Sequence, residues 1–189
     1  MLKRTFSGII FVSILISAIL LDSLTFYDTD GITIGSTIGS TTGISSTGNI
    51  VLSAGADEST GTSTGGDITI SGTPTISSSS GNTKLYTGSI SGSTSLASLI
   101  SAGNFRYNSD EAATNYTKSL GSGIFAVYRE QPTIKISPDS KNIIYGDTVS
   151  GLTYGSSGFV NGDDANILAG IASFNINSTK STSGHHIFG

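Results

Sequence analysis

Cysteine and tryptophan are absent from the chain, methionine occurs once, and proline only at Pro74, Pro132 and Pro138. Without thiols there is no disulfide framework, no thiolate metal centre and no cysteine nucleophile. Charge is scarce as well. Asp, Glu, Lys and Arg make up 12% of the 189 residues, about half the usual share. The net charge of −4 and sequence pI near 4.9 leave no basic face to follow a phosphate backbone, which argues against a nucleic-acid partner.

Glycine, serine, threonine and β-branched aliphatics fill the space. The stretch GITIGSTIGSTTG, Gly31 to Gly43, carries glycine at every fourth position and no charge. As a helix it would lose about 1 kcal/mol per glycine relative to alanine, with a further penalty from the hydroxyl side chains. Glycine suits corners, whereas Thr and Ile suit extended backbone, so short strands separated by turns are expected. Disorder goes with low hydrophobicity and high net charge. Here 36% of residues are hydrophobic and Ile, Val and Leu recur through the polar text, which favours folded β-structure.

Lys3 and Arg4 precede an apolar run from Phe6 to Leu21. That order of charge and hydrophobicity is the order of a secretory leader, so residues 1–30 are read as a leader or anchor and export is expected. The run is slightly short for a membrane span of about 20 residues, and no Ala-x-Ala cleavage site follows before Asp22.

Three later stretches share a pattern: GNIVLSAG (Gly48 to Gly55), GDITISG (Gly66 to Gly72) and TKLYTGS (Thr83 to Ser89). Ile50 and Leu52 alternate with their neighbours, as do Ile68 and Ile70, which is the period of a strand with one buried face. Strands recurring at about 16–18 residues, bounded by Gly, Asn and Asp, predict a β-solenoid over 31–100 whose coils stack on one another. Leu96, Leu99 and Ile100 lie at helical spacing and suggest a short capping helix. Residues 101–131 are richer in charge and aromatics, as a cap or junction over an open solenoid end would be, with a strand expected around Ile124 to Tyr128. Residues 132–189 read as a small β-module. Ile134 and Ile136 alternate, Pro138 and Asp139 turn, Ile143 and Tyr145 resume, and Ala172 to Ile176 form a strand, with Asp163 the expected N-cap of a helical turn in DDANILAG. The fold class is therefore all-β.

No constellation of catalytic residues stands out. GTSTG (Gly61 to Gly65) matches the nucleophile-elbow pattern around Ser63, but that elbow needs a strand-to-helix turn, and this is polar loop text. His185 and His186 are adjacent, so in a strand they point to opposite faces and do not chelate together. Asp147, Asp163 and Asp164 offer carboxylates suited to calcium, yet the same residues serve turns and caps. Asn115 and Asn177 head glycosylation sequons. Tyr107, Tyr116 and Tyr128, with Phe105 and Phe125, are either a partner-binding surface or the core of the junction. No cofactor is expected.

The stretches TKLYTGSISGS, FRYNSDEAATNYTKSLGSGIFAVYREQPTIKI and YGD followed by LTY and GFVNGDD resemble the large filamentous-haemagglutinin-like adhesins of bacteria. Tyr145, Gly146 and Asp147, then Gly158, Phe159, Gly162 and Asp163, look like the start of an MBG or YDG repeat, the glycine-rich β-module arrayed in those proteins. The resemblance spans roughly Gly48 to Phe174. It implies right-handed β-helix shafts, export through an outer-membrane partner transporter, and roles in attachment or aggregation at a host-cell or glycan receptor. The family's Asn-Pro-Asn-Gly export motif has no counterpart here, and the text stops where a module would enter its final strand, so a fragment of a larger adhesin with an incomplete module is expected. A missing strand would leave an edge prone to self-association. Two non-enzymatic functions follow: an exported surface adhesin, or a shaft that binds nothing and positions a distant tip.

Overall fold

The computed structural model describes residues 5–6, 24–28, 31–35, 43–144, 147, 149–170, 173–174 and 180–184. It divides into two compact units, Met1–Pro132 and Thr133–Gly189. Strands are the main regular structure of both, and the described helical turns are two short 3₁₀ pieces.

In chain order the first unit contains β1 (Thr5–Phe6), β2 (Leu24–Asp28), β3 (Ile32–Gly35), β4 (Gly43–Ser46), β5 (Ile50–Ala54), β6 (Ile68–Ser71), β7 (Thr75–Ser78), β8 (Asn82–Thr87), β9 (Phe105–Arg106) and β10 (Gly123–Tyr128). All its pairings are parallel. One six-stranded sheet runs β1-β2-β5-β8-β10-β9, while β3 pairs with β6 and β4 with β7 in sheets of their own. The chain thus visits three ladders in turn and comes back to the first. β2 falls within residues 1–30, read above as leader, and pairs with β5 along its whole length.

The register puts like beside like. Leu52 pairs with Phe26 on one side and Leu85 on the other, Ile32 with Ile68, Ile34 with Ile70, and Ile44 with Ile76. Ile50, Leu52, Ile68, Ile70, Ile76, Leu85 and Leu96 are buried in a single cluster. Each such side chain contributes about 1.5–3 kcal/mol on burial. The alternation at Ile50/Leu52 and Ile68/Ile70 therefore points inward, as the sequence pattern required. The stacking differs from expectation. Ile50 and Ile68, on successive strands, lie in different sheets, and the residue that pairs with Ile50 further along the chain is Thr83. The three stretches marked by the sequence pattern are β5, β6 and β8, each on the ladder it visits in turn, with β7 between the last two. A full round therefore takes about twice the expected spacing.

Corners stack as the strands do. The Asn82 N–H donates to Asn49 Oδ1 at 2.9 Å, Ser78 Oγ donates to the Gly48 carbonyl at 2.7 Å, and the N–H groups of Ser79 and Ser80 reach the carbonyls of Ser46 and Thr47. Gly81 lies against the round before it: a Cβ there would sit 2.5 Å from the Gly48 carbonyl carbon.

After β8 the third round is cut short. The Ile70 N–H donates to the Thr94 carbonyl, and the 3₁₀ turn Leu96–Leu99 buries Leu96 in the core, where a short capping helix was expected. β10, which covers the expected strand, then enters between β8 and β9 although β9 precedes it in sequence. Its outer edge is closed by more than the two-residue β9. Asn104 accepts from the Ala126 N–H and donates through Nδ2 to the Ile124 carbonyl, while Ser109 and Asn108 donate to the carbonyls of Tyr128 and Glu130.

The second unit holds β11 (Lys135–Pro138), antiparallel to β12 (Tyr154–Ser157), and a 3₁₀ turn at Ala165–Ile167. Pro138 pairs with Tyr154, and the Asp139 N–H still reaches the Thr153 carbonyl, so the ladder runs through the expected turn. Asp164, not Asp163, caps the 3₁₀ turn. The turn begins at Ala165, and it is the preceding carboxylate that accepts the Asn166 N–H, at 2.8 Å. Ile143 lies outside a strand, Tyr145 is not among the described residues, and most of the expected strand Ala172–Ile176 also falls outside them.

Candidate functional site

At β5, β8 and β10 the six-stranded sheet is covered on both faces. Ile50, Leu52 and Ala54 point into the core, so Val51 and Ser53 face outward, with Lys84 and Tyr86 beside them on β8 and Phe125 and Val127 on β10. Ser53, Tyr86, Phe125 and Val127 are nonetheless buried. The segment after β9 lies over them. Arg106 stacks its guanidinium over Tyr116 at 5.4 Å and over Phe125 at 5.6 Å. Burial pushes the Tyr86 phenol up to about 12, with Tyr116, Glu111, Tyr27 and Asp110 adding to the effect.

Two buried arginines hold this cover in place. Arg106 donates to the carbonyls of Gly103 (2.9 Å), Phe105 (2.7 Å), Lys118 (3.2 Å) and Ser119 (3.2 Å), tying both ends of the 107–122 loop. Arg129, 0% exposed, continues the outward row of Phe125 and Val127 just beyond β10. It donates through Nη1 to the Ala54 carbonyl at 2.5 Å and through Nη2 to those of Thr64 (3.2 Å) and Gly66 (3.0 Å). Gly55 and Gly88 make room for it: a Cβ at either would stand 2.6 or 2.8 Å from Nη2. Burial lowers the Arg129 pKa, and Glu111, Asp67, Glu58 and Asp110 oppose that shift. The guanidinium stays charged in any physiological solution.

Carboxylates stitch the surrounding loops. Asp110 accepts the N–H groups of Ala112 and Ala113 on Oδ1 and that of Thr60 on Oδ2, joining loop 107–122 to loop 55–67. Asp67 accepts the Ser89 N–H at 2.6 Å, and Glu130 accepts the Ile90 N–H at 2.6 Å. Glu111 has one carboxylate oxygen buried without a hydrogen-bond partner, as has the Arg129 Nε. Burial pushes the Glu111 pKa up, against its own backbone hydrogen bond and Arg129, which pull it down, while Asp110 and Asp57 add to the rise. Every arginine hydrogen bond and nearly every carboxylate contact here ends on backbone. Such an arrangement holds loops on a sheet.

The residues singled out in the sequence are scattered. Tyr128 is 1% exposed and belongs to the packing of the junction, and Tyr107, half-buried, stacks on it with centroids 5.6 Å apart. Tyr116 is half-buried under Arg106. Ser63 is exposed in the loop from β5 to β6, and a strand follows it rather than the helix an elbow requires. Asn115 is exposed and donates through Nδ2 to the Asn108 carbonyl. His185, His186, Asn177, Tyr145 and Gly146 lie outside the described residues.

Asp147 is exposed and its N–H meets the Ile144 carbonyl. Gly158 has φ +92°, and a Cβ there would run into the Thr133 carbonyl. Phe159 is half-buried. Asn161 and Gly162 have φ of 53° and 80°, and the Asp163 N–H closes on the Val160 carbonyl at 3.0 Å, the geometry of a type I′ turn. Among the described residues no three His, Asp or Glu side chains gather as a metal-binding group, and no helix is long and apolar enough to cross a membrane.

Sequence reasoning gave the Arg129 clamp no place. Its only sequence trace is an arginine directly after an apolar strand, with glycines at 55, 66 and 88 where other chain segments pass it.

Fold and site together describe an all-β protein. Residues 134–187 match the family model of the MBG domain, YGX type, which fits a repeat-containing surface-protein family. No curated protein and no solved structure matches the chain.

Proposed function

We propose that the chain is a shaft segment of an exported, repeat-containing bacterial surface protein. In this reading the three parallel ladders are the faces of a β-solenoid and residues 101–131 close its end. The observation that carries it is the register, in which Leu52 lies between Phe26 and Leu85 while Ile32 and Ile68 align on a second ladder and Ile44 and Ile76 on a third. Each round would lengthen the shaft by about 4.8 Å, the spacing of paired strands. Backbone hydrogen bonds on three sides would then resist bending. The filamentous-haemagglutinin-like resemblance and the leader-like run Phe6–Leu21 support export to the surface, with an outer-membrane partner transporter serving the parent protein.

Attachment to a host-cell or glycan receptor is the companion reading. Its candidate contact residues reduce to Tyr107 and Tyr116, because Tyr128 is buried. Binding of the purified full chain to host cells and to a glycan array separates the two. A shaft gives no saturable binding; saturable binding weakened by Tyr116→Ala would replace the shaft reading with adhesion.

A further inference from the structure

Among the described residues, the ladders that end at the junction are not all closed there. β10 is shielded by β9, Asn104, Asn108 and Ser109, and Ile70 of β6 is met by the Thr94 carbonyl. β7 is different: its sheet contains only β4 and β7, and no described segment pairs with the β7 backbone on the side away from β4. The chain passes from β8 through the 3₁₀ turn Leu96–Leu99 to β9 and β10 of the first sheet, so the third ladder receives no further strand among the described residues.

We infer that the open edge of β7 pairs with β7 of a second copy of this chain, antiparallel about a two-fold axis. An isologous contact requires an edge that complements itself, and antiparallel strand pairing provides it. Natural edges are protected by charge, by proline or by shortness; β7 has 4 residues and follows Pro74, but from Ser71 to Thr83 the chain carries no charge, so two copies bring no like charges together at this strand despite the net −4. Thr75 and Ser77 are exposed on one face and Ile76 is buried on the other. Keeping both faces matched across the axis restricts the register to every second position, which opposes Thr75 or Ser77 of one copy to Thr75 or Ser77 of the other. The inference rests on the pairing of β4 with β7 and holds for a shaft or for an adhesin.

The absence of cysteine makes the test clean. The full chain carrying Thr75→Cys and Ser77→Cys is compared under mild oxidation with Ser45→Cys, which sits beside Ser77 on β4 and one strand further from the edge. The expected result is disulfide-linked dimer forming several-fold faster from the β7 variant. Sedimentation should also show that Thr75→Lys with Ser77→Lys shifts the unoxidised chain from dimer to monomer with its circular dichroism unchanged. Equal cross-linking at Ser45, a monomeric parent chain, or a dimer indifferent to the two lysines would overturn the inference.

Discussion

The guanidinium of Arg129 donates to the carbonyl of Ala54, 75 residues earlier in the chain, and no part of either residue meets solvent. With Thr64 and Gly66 as further acceptors, one side chain joins the end of β5, the loop before β6 and the end of β10. A buried cation satisfied by backbone oxygens stabilises only while its partners stay in place.

Arg129→Ala should therefore cost about 1–3 kcal/mol for each backbone carbonyl left buried without a donor. Thermal denaturation should show a midpoint lower by several degrees, with Arg129→Lys falling between parent and alanine variant. An unchanged midpoint in Arg129→Ala would remove the clamp from the account.

Leu85→Ala should cost about 2–5 kcal/mol, because it empties a position in the stacked core of the first unit. Ile136→Ala, at a residue 57% exposed in the second unit, should change stability little. Urea titration of both variants checks the contrast.

Gly81→Ala places a methyl against the Gly48 backbone of the preceding round and should destabilise by about 1–3 kcal/mol. Gly121→Ala meets nothing within 4 Å and should be neutral or slightly stabilising. Parallel melting curves of the two alanine variants decide it.

Glu111 gives a pH dependence of definite sign. Burial raises its folded pKa above the unfolded value, so its contribution is fully present below the ordinary carboxylate range and is lost as pH rises through the folded value. Glu111→Gln should flatten that part of the stability profile and stabilise the chain at neutral pH. A profile equally steep in the variant would place the titration elsewhere.

The strands themselves were legible. Alternation at Ile50/Leu52 and Ile68/Ile70 marks β5 and β6, and the apolar run from Ile124 to Tyr128 marks β10, because burial on one face writes a local period into the sequence. Their partners were not. A period of two says that Ile50 faces inward but not whether Ile68 or Thr83 lies beside it, and in Gly, Ser and Thr text many registers look alike. β7 has a single buried aliphatic, Ile76, too little for a period to form. The Arg129 clamp is set entirely by distant carbonyls, which leave no side-chain signature, and the cap moved from Asp163 to Asp164 because both residues suit the role chemically.

The central claim, that the chain passes through three ladders before it returns to the same sheet, can be measured directly. Paired spin labels at Val51 and Lys84, neighbours on β5 and β8, are compared with labels at Val51 and Thr69, which lie on successive strands in different sheets. Strong dipolar broadening for Val51 with Lys84, and much weaker broadening for Val51 with Thr69, is the predicted result. The reverse pattern would mean that successive strands stack directly, and would contradict the three-ladder fold.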